Sequence, residues 1–380
     1  MITPAAQQQP LAAAQPLPAH AWFFPAAALY AALIVPLSLL AMSGRADWAS
    51  GLAHGLGHAH EMLFGFALAV VAGYLLGPQP AHRLLALFVL WLAARLAFFM
   101  PLLPWLAATL NTMFAVALAA VVAPKFLSAA KKLRNQAFAP VLIGICVTVV
   151  AYQLAVTADM FWLRRTALLE AVLLFALLML FMGGRIIAPA VAGAFYRQGM
   201  NLEARVQPRI EGALILLLAV AVLSLAVPPG RWLAALALLA AGVLSLVRLL
   251  RWRLWACRGR PDLICLGVGY GWIGLGLVLV GAALAADAYL TVALHAITVG
   301  ALGTLSSGVM ARLRLQRAKQ DPAKARSIVV SAALMSLAVL SRALGGLGFG
   351  STFTWYWLAA AAWSLGFLLL LHLLWRVPAR

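Results

Sequence analysis

Long apolar runs of close to twenty residues, separated by short polar stretches, repeat along the whole chain. A helix crossing a bilayer core of about 30 Å needs about 20 mostly apolar residues, because it rises about 1.5 Å per residue. The runs predict helices at roughly 22–42, 54–77, 84–100, 105–124, 137–157, 166–187, 210–227, 231–250, 262–286, 290–311, 328–347 and 354–375. A membrane barrel would instead show short segments of alternating polarity, and helices satisfy their own backbone groups, as lipid demands. The predicted fold class is therefore all-α, a polytopic membrane helix bundle with about twelve transmembrane helices. Residues 22–376 form a single transmembrane helical domain on this reading. Residues 1–21 are rich in Ala, Pro and Gln, contain no Lys or Arg, and read as a disordered N-terminal tail rather than a signal peptide. Met100–Pro104 makes a tight turn between the third and fourth helices, and the largest loop covers roughly 188–209. Trp22, Trp105, Trp232, Trp355 and Trp375 fall at predicted helix ends, where amphipathic rings prefer the interface.

Composition removes the soluble classes. Of 380 residues 65% are apolar and 10% charged, against about 25% charged in ordinary soluble domains. The net charge of +19 comes from basic residues in short connections. Connections after even-numbered helices carry Arg83; Lys125, Lys131, Lys132 and Arg134; Arg185, Arg197, Arg205 and Arg209; Arg248 to Arg260; Arg312 to Arg326; and Arg376 and Arg380. Odd connections carry only Arg45, Arg164, Arg165 and Arg231. The positive-inside rule then puts the even connections, and with twelve helices both termini, in the cytoplasm. Anionic lipid and orientation account for the charge, so the expected partner is the lipid bilayer and not nucleic acid. Cys146, Cys257 and Cys265 lack metal-type spacing, and no structural disulfide is expected.

An ionisable residue in a span costs about 2.5–3.5 kcal/mol on insertion scales and marks function by default. The candidates are His58, His60 and Glu61 in helix 2, Arg95 in helix 3, Glu170 in helix 6, His295 in helix 10, Arg342 in helix 11 and His372 in helix 12. His54, His58 and Glu61 share a helical face that continues through Gly65, Ala69 and Gly73, small enough for close helix approach. His60 lies about 200° round an ideal helix from His58, so the two cannot bind one metal from it. His295, Thr298 and Ser306 share a face of helix 10, with Gly303 beside it. His58 and His295 each lie about five residues inside an even-numbered helix, hence about 7 Å deep in the same, outer leaflet. Neutral imidazole is the commonest transition-metal ligand and a usual axial ligand of haem. Arg95 and Glu170 could simply neutralise one another, His20 and His82 are expected to be solvated, and solvation or a packing role is enough for His372 near the cytoplasmic end of helix 12. Gly269-Tyr-Gly271-Trp-Ile-Gly274 fits a dinucleotide fingerprint but lies inside a predicted span, where close helix packing explains it.

At these segments the chain resembles the NnrS family of bacterial membrane proteins. The matching pieces are GHAHEMLFGF around His58, His60 and Glu61, LHAITVGALGT around His295, WLAAR ending at Arg95, MGGRII around Arg185, GYGW around Tyr270, and the Met310–Arg312 end of helix 10. The resemblance implies a twelve-span protein of the bacterial inner membrane containing haem and copper, linked to nitrogen-oxide metabolism and to resisting nitric oxide stress. It makes His58, His60 and His295 candidate metal ligands, Glu61 a partner that orients an imidazole N–H, and Arg95 a clamp for a haem propionate. Two further histidines that the resemblance leads one to expect are missing, since those stretches read CLGVGYGW and RLRLQRAK. Nitric oxide or a small nitrogen oxide is the implied ligand, and no redox partner is indicated. Two other functions stay open: a cofactor-free secondary transporter with an intramembrane His/Glu relay, and a structural or assembly subunit of a respiratory complex.

Overall fold

A computed structural model describes residues 16–100, 103–128 and 138–379. The bulk of the predicted tail, Pro101 and Leu102 of the Met100–Pro104 turn, Lys131, Lys132, Arg134 and Arg380 lie outside the described residues. Among the described residues twelve helices are long and apolar enough to cross a membrane. They are α1 (His20–Met42), α2 (Gly55–Leu75), α3 (Ala81–Phe98), α4 (Pro104–Ser128), α5 (Phe138–Thr157), α6 (Phe161–Tyr196), α7 (Glu203–Leu225), α8 (Arg231–Ala256), α9 (Pro261–Ala286), α10 (Leu290–Arg317), α11 (Arg326–Gly346) and α12 (Thr352–Arg376). The protein is thus an all-α, multi-pass membrane bundle. A two-residue antiparallel pairing of Leu17–Pro18 with Pro78–Gln79 ties the start of α1 to the α2–α3 connection. Residues 16–21 are therefore strand and helix rather than tail, and α1 begins at His20.

Consecutive helices pack as antiparallel neighbours, and α12 returns to pack on α1. There Trp363 Nε1 donates to the Ala31 carbonyl at 2.9 Å and Ser364 Oγ to that of Ala32 at 2.7 Å. Inside lipid such bonds have no competing water, which is why Trp and Ser serve as fasteners between spans. Spans α2, α6 and α10 are the most enclosed, with 67%, 72% and 67% of their central windows buried, against 28% for α7. The outer spans show large apolar side chains outward, among them Leu216, Leu223, Leu236, Val243 and Leu250. A hydrocarbon solvent makes that arrangement favourable, and water would make it costly.

Each of the three inner spans contains a widened, π-type stretch: Glu61–Ala67 in α2, Gly183–Ile187 in α6 and Ala296–Ala301 in α10. Such a stretch inserts extra chain into a helix, turns the downstream faces and recurs at functional sites. The α2 stretch is braced by Trp91, whose Nε1 donates to the Gly65 carbonyl at 2.9 Å. The α10 stretch is braced by close contact, for a Cβ on Gly300 would lie 2.8 Å from the Trp272 ring. Asp287 and Tyr289, both left-handed at φ 55° and 59°, fold the chain tightly from α9 into α10.

Several sequence expectations need correction. The 188–209 loop is mostly helix, since α6 runs to Tyr196, about 54 Å at 1.5 Å per residue. Arg185, Arg248, Arg312 and Arg314 are not in connections but within α6, α8 and α10. Arg248 and Arg314 are buried, as is Arg312. Arg248 donates to the Leu180 carbonyl at 3.1 Å and to Tyr270 Oη at 3.3 Å, and Glu211 is 3.9 Å away. Arg312 is paired with Asp262, and the Arg185 guanidinium lies 4.8 Å above the Phe138 ring. His20 is buried instead of solvated, whereas His82 is exposed as expected and His372 is exposed rather than packed. Gly269, Gly271 and Gly274 face Leu305, Leu249 and Leu246, so that glycine run serves helix packing.

Candidate functional site

A cavity of about 1260 Å³ opens between α1 to α6 and α10 to α12. Its wall includes His54, His58, His60 and His295, so histidines of α2 and α10 line one chamber. His58 and His295 are also within electrostatic reach of each other.

The hydrogen bonds fix the state of each ring. Ser38 Oγ on α1 donates to the Ile34 carbonyl at 2.7 Å, so it meets His58 Nδ1, 2.9 Å away, as an acceptor. His58 therefore carries its proton on Nδ1. His295 Nδ1 lies 2.6 Å from the Thr291 carbonyl, which can only accept, so this ring is also the Nδ1–H tautomer. In both rings Nε2 keeps its lone pair, and among the described residues no group hydrogen-bonds to it. Both side chains are half-buried, and the cavity supplies their open side.

His60 is held differently. Its Nδ1–H donates to Glu61 Oε1 at 2.7 Å, and Nε2 accepts from the Gln153 amide at 2.6 Å. The ring is stacked on Tyr152, centroids 4.8 Å apart, and on Phe98 at 5.6 Å. Both nitrogens are occupied. Glu61 does orient an imidazole N–H, and the imidazole is that of His60.

Glu61 is the hub of this second group. Its fully buried carboxylate accepts from Arg95 Nη1 at 2.6 Å and from Tyr30 Oη, while Arg95 also donates to Asn111. Arg95 is thereby committed to Glu61 and Asn111, not presented to the cavity, and it does not line the chamber. The alternative pairing of Arg95 with Glu170 does not occur; the carboxylate partner is Glu61. Gly65 makes the arrangement possible, because a Cβ there would lie 2.7 Å from Arg95 Nη1 and 2.8 Å from the Tyr30 ring.

The α10 stretch splits the face expected for His295, Thr298 and Ser306. His295 and Thr298 line the large chamber, whereas Ser306 lines a separate, almost wholly apolar pocket of about 100 Å³ beside Leu305 and Val309. Sequence reasoning missed Ser38, Tyr30, Asn111 and Gln153, all in predicted spans. Their signal was present, since hydrogen-bonding side chains at membrane depth need partners. Among the described residues no group of three or more His, Cys, Asp or Glu comes together in a way that would hold a metal ion. The three cysteines are free and buried.

A twelve-span helical bundle enclosing a chamber lined by histidines defines a multi-pass membrane protein with an internal cavity. The family model described as NnrS protein matches residues 18–380. The chain belongs to the NnrS family. No curated protein matches it.

Proposed function

We propose that the protein is a haem-bearing membrane protein of nitrogen-oxide metabolism or nitric oxide resistance, with haem held by His58 and His295 in the chamber. The observation that carries this reading is the pair of imidazoles with Nδ1–H anchored to Ser38 and Thr291 and Nε2 free beside the cavity. Ligating histidines almost always donate the other ring N–H to a protein acceptor, which fixes the tautomer and strengthens the ligand. The two rings come from different helices and share one chamber, whose volume of about 1260 Å³ exceeds that of ordinary small-molecule sites. His60, Glu61 and Arg95 support the wall: their mutual bonds use up the groups that ligation or a propionate clamp would need.

Copper fits these residues poorly. Nitrogen and sulfur donors would have to converge, but His60 is engaged on both nitrogens and no group of three donors forms among the described residues. Haem would supply reversible binding of nitric oxide and one-electron chemistry, while the protein supplies orientation and electrostatics. Nitric oxide added to the reduced, purified protein is expected to shift the Soret band; an unchanged spectrum would overturn the nitrogen-oxide assignment.

The basic connections support an inner-membrane orientation with both termini cytoplasmic and the chamber toward the outer face. Thiol labelling checks it, since the native cysteines are buried and burial pushes the Cys257 thiol up. On intact cells an impermeant maleimide is expected to label Arg45→Cys but not Gln320→Cys, both at exposed positions. The opposite pattern reverses the topology.

A further inference from the structure

The chamber wall carries charge of one sign. Arg164, Arg165 and Arg342 line it, and no Asp or Glu does among the described residues. Arg164 is engaged with Asp159 at 2.7 Å and with the Ala155 and Val156 carbonyls. Arg165 is exposed. Arg342 differs from both. It stands on α11 within the bundle, with its guanidinium 4.0 Å above the Tyr356 ring and no carboxylate paired with it among the described residues. Its Nη1 is enclosed and has no hydrogen-bond partner. The position is built for it: a Cβ on Gly346, one turn away, would lie 3.0 Å from that nitrogen. The same charge lies within electrostatic reach of both His58 and His295.

A guanidinium held in a span without a counter-charge is costly, and such residues persist where they meet a partner or a ligand. An aromatic face offsets only part of that cost. The planar fork of arginine matches a delocalised oxygen anion. We propose that Arg342 is an anion seat, so that the guest of the chamber places a carboxylate or a small oxyanion against Arg342 beside His58 and His295. For a carboxylate on the edge of a porphyrin this rests on the haem reading above; for a free oxyanion it needs only the chamber.

The test uses the full-length purified chain as wild type, Arg342→Gln and Arg342→Lys, each checked for an unchanged unfolding temperature. Iron protoporphyrin IX and its dimethyl ester, which has no free carboxylate, are titrated in parallel. Sodium nitrite is titrated separately into protein without porphyrin, and its binding heat is followed by calorimetry. If the seat holds a cofactor carboxylate, Arg342→Gln weakens the free acid about tenfold, Arg342→Lys weakens it less, and the ester binds wild type and variant alike. If it holds a free oxyanion, nitrite binds the porphyrin-free wild type and Arg342→Gln weakens that binding by a similar factor. Wild type that takes up no porphyrin yet binds nitrite through Arg342 removes the haem reading and keeps the seat. Unchanged affinities in a folded Arg342→Gln protein, or no binding of either probe by wild type, overturn it.

Discussion

Replacing His295 with alanine is expected to abolish the haem spectrum of the purified protein, and His58→Ala to do the same or leave a weakened, altered band. Each change deletes an Nε2 lone pair that the bonds to Thr291 or Ser38 hold toward the chamber. Losing a ligand removes a coordinate bond, whereas losing an outer hydrogen bond lowers metal affinity by only about 10–100-fold. Ser38→Ala, which takes away the acceptor for His58 Nδ1, should therefore weaken haem retention without eliminating it. His372→Ala is the control, because that residue is exposed near the far end of α12. Optical spectra at matched protein concentration check all four. A full-intensity spectrum in His295→Ala would remove that residue as a ligand.

The second large effect is on stability. Glu61→Leu is expected to cost about 3–5 kcal/mol, because it strands Arg95 as an unpaired buried charge. Both side chains are almost completely enclosed, and their contact is 2.6 Å. The loss is larger than deleting a hydrogen bond of about 1 kcal/mol, since the guanidinium cannot regain solvent. Combining Glu61→Leu with Arg95→Leu should recover only part of it, because it removes the stranded charge but leaves the His60 Nδ1–H and the Tyr30 hydroxyl without their buried acceptor. Thermal unfolding in detergent reads both steps. A single variant as stable as wild type would mean that Glu61 and Arg95 are not a dependent pair.

The bundle was legible because lipid imposes a simple rule: about twenty apolar residues per crossing. That His58 and His295 line one chamber was foreshadowed in a similar way, since both stand about five residues inside their predicted helices. Rotation about each helix axis was harder to read. The ideal-helix projection grouped Ser306 with His295, but the widened stretch at Ala296–Ala301 turns Ser306 into another pocket. No local composition announces that extra residue in the turn. The clamp role for Arg95 came from the resemblance alone, and its actual partners depend on packing, since Gly65 lets Glu61 and Tyr30 close over it. Arg342 was visible as an intramembrane charge, yet its place beside two imidazoles depends on how α11 packs against α10. The buried Arg248, Arg312 and Arg314 show the limit of reading basic residues as loop markers, for helices longer than the bilayer core carry them inside their own ends.

The most direct measurement is an absorption spectrum with iron analysis on wild-type protein purified in mild detergent from haem-replete cells. A Soret band with about one iron per chain, both lost together in His295→Ala, is the expected result. A colourless, iron-free wild-type protein that also fails to take up added haem would contradict a haem-bearing chamber.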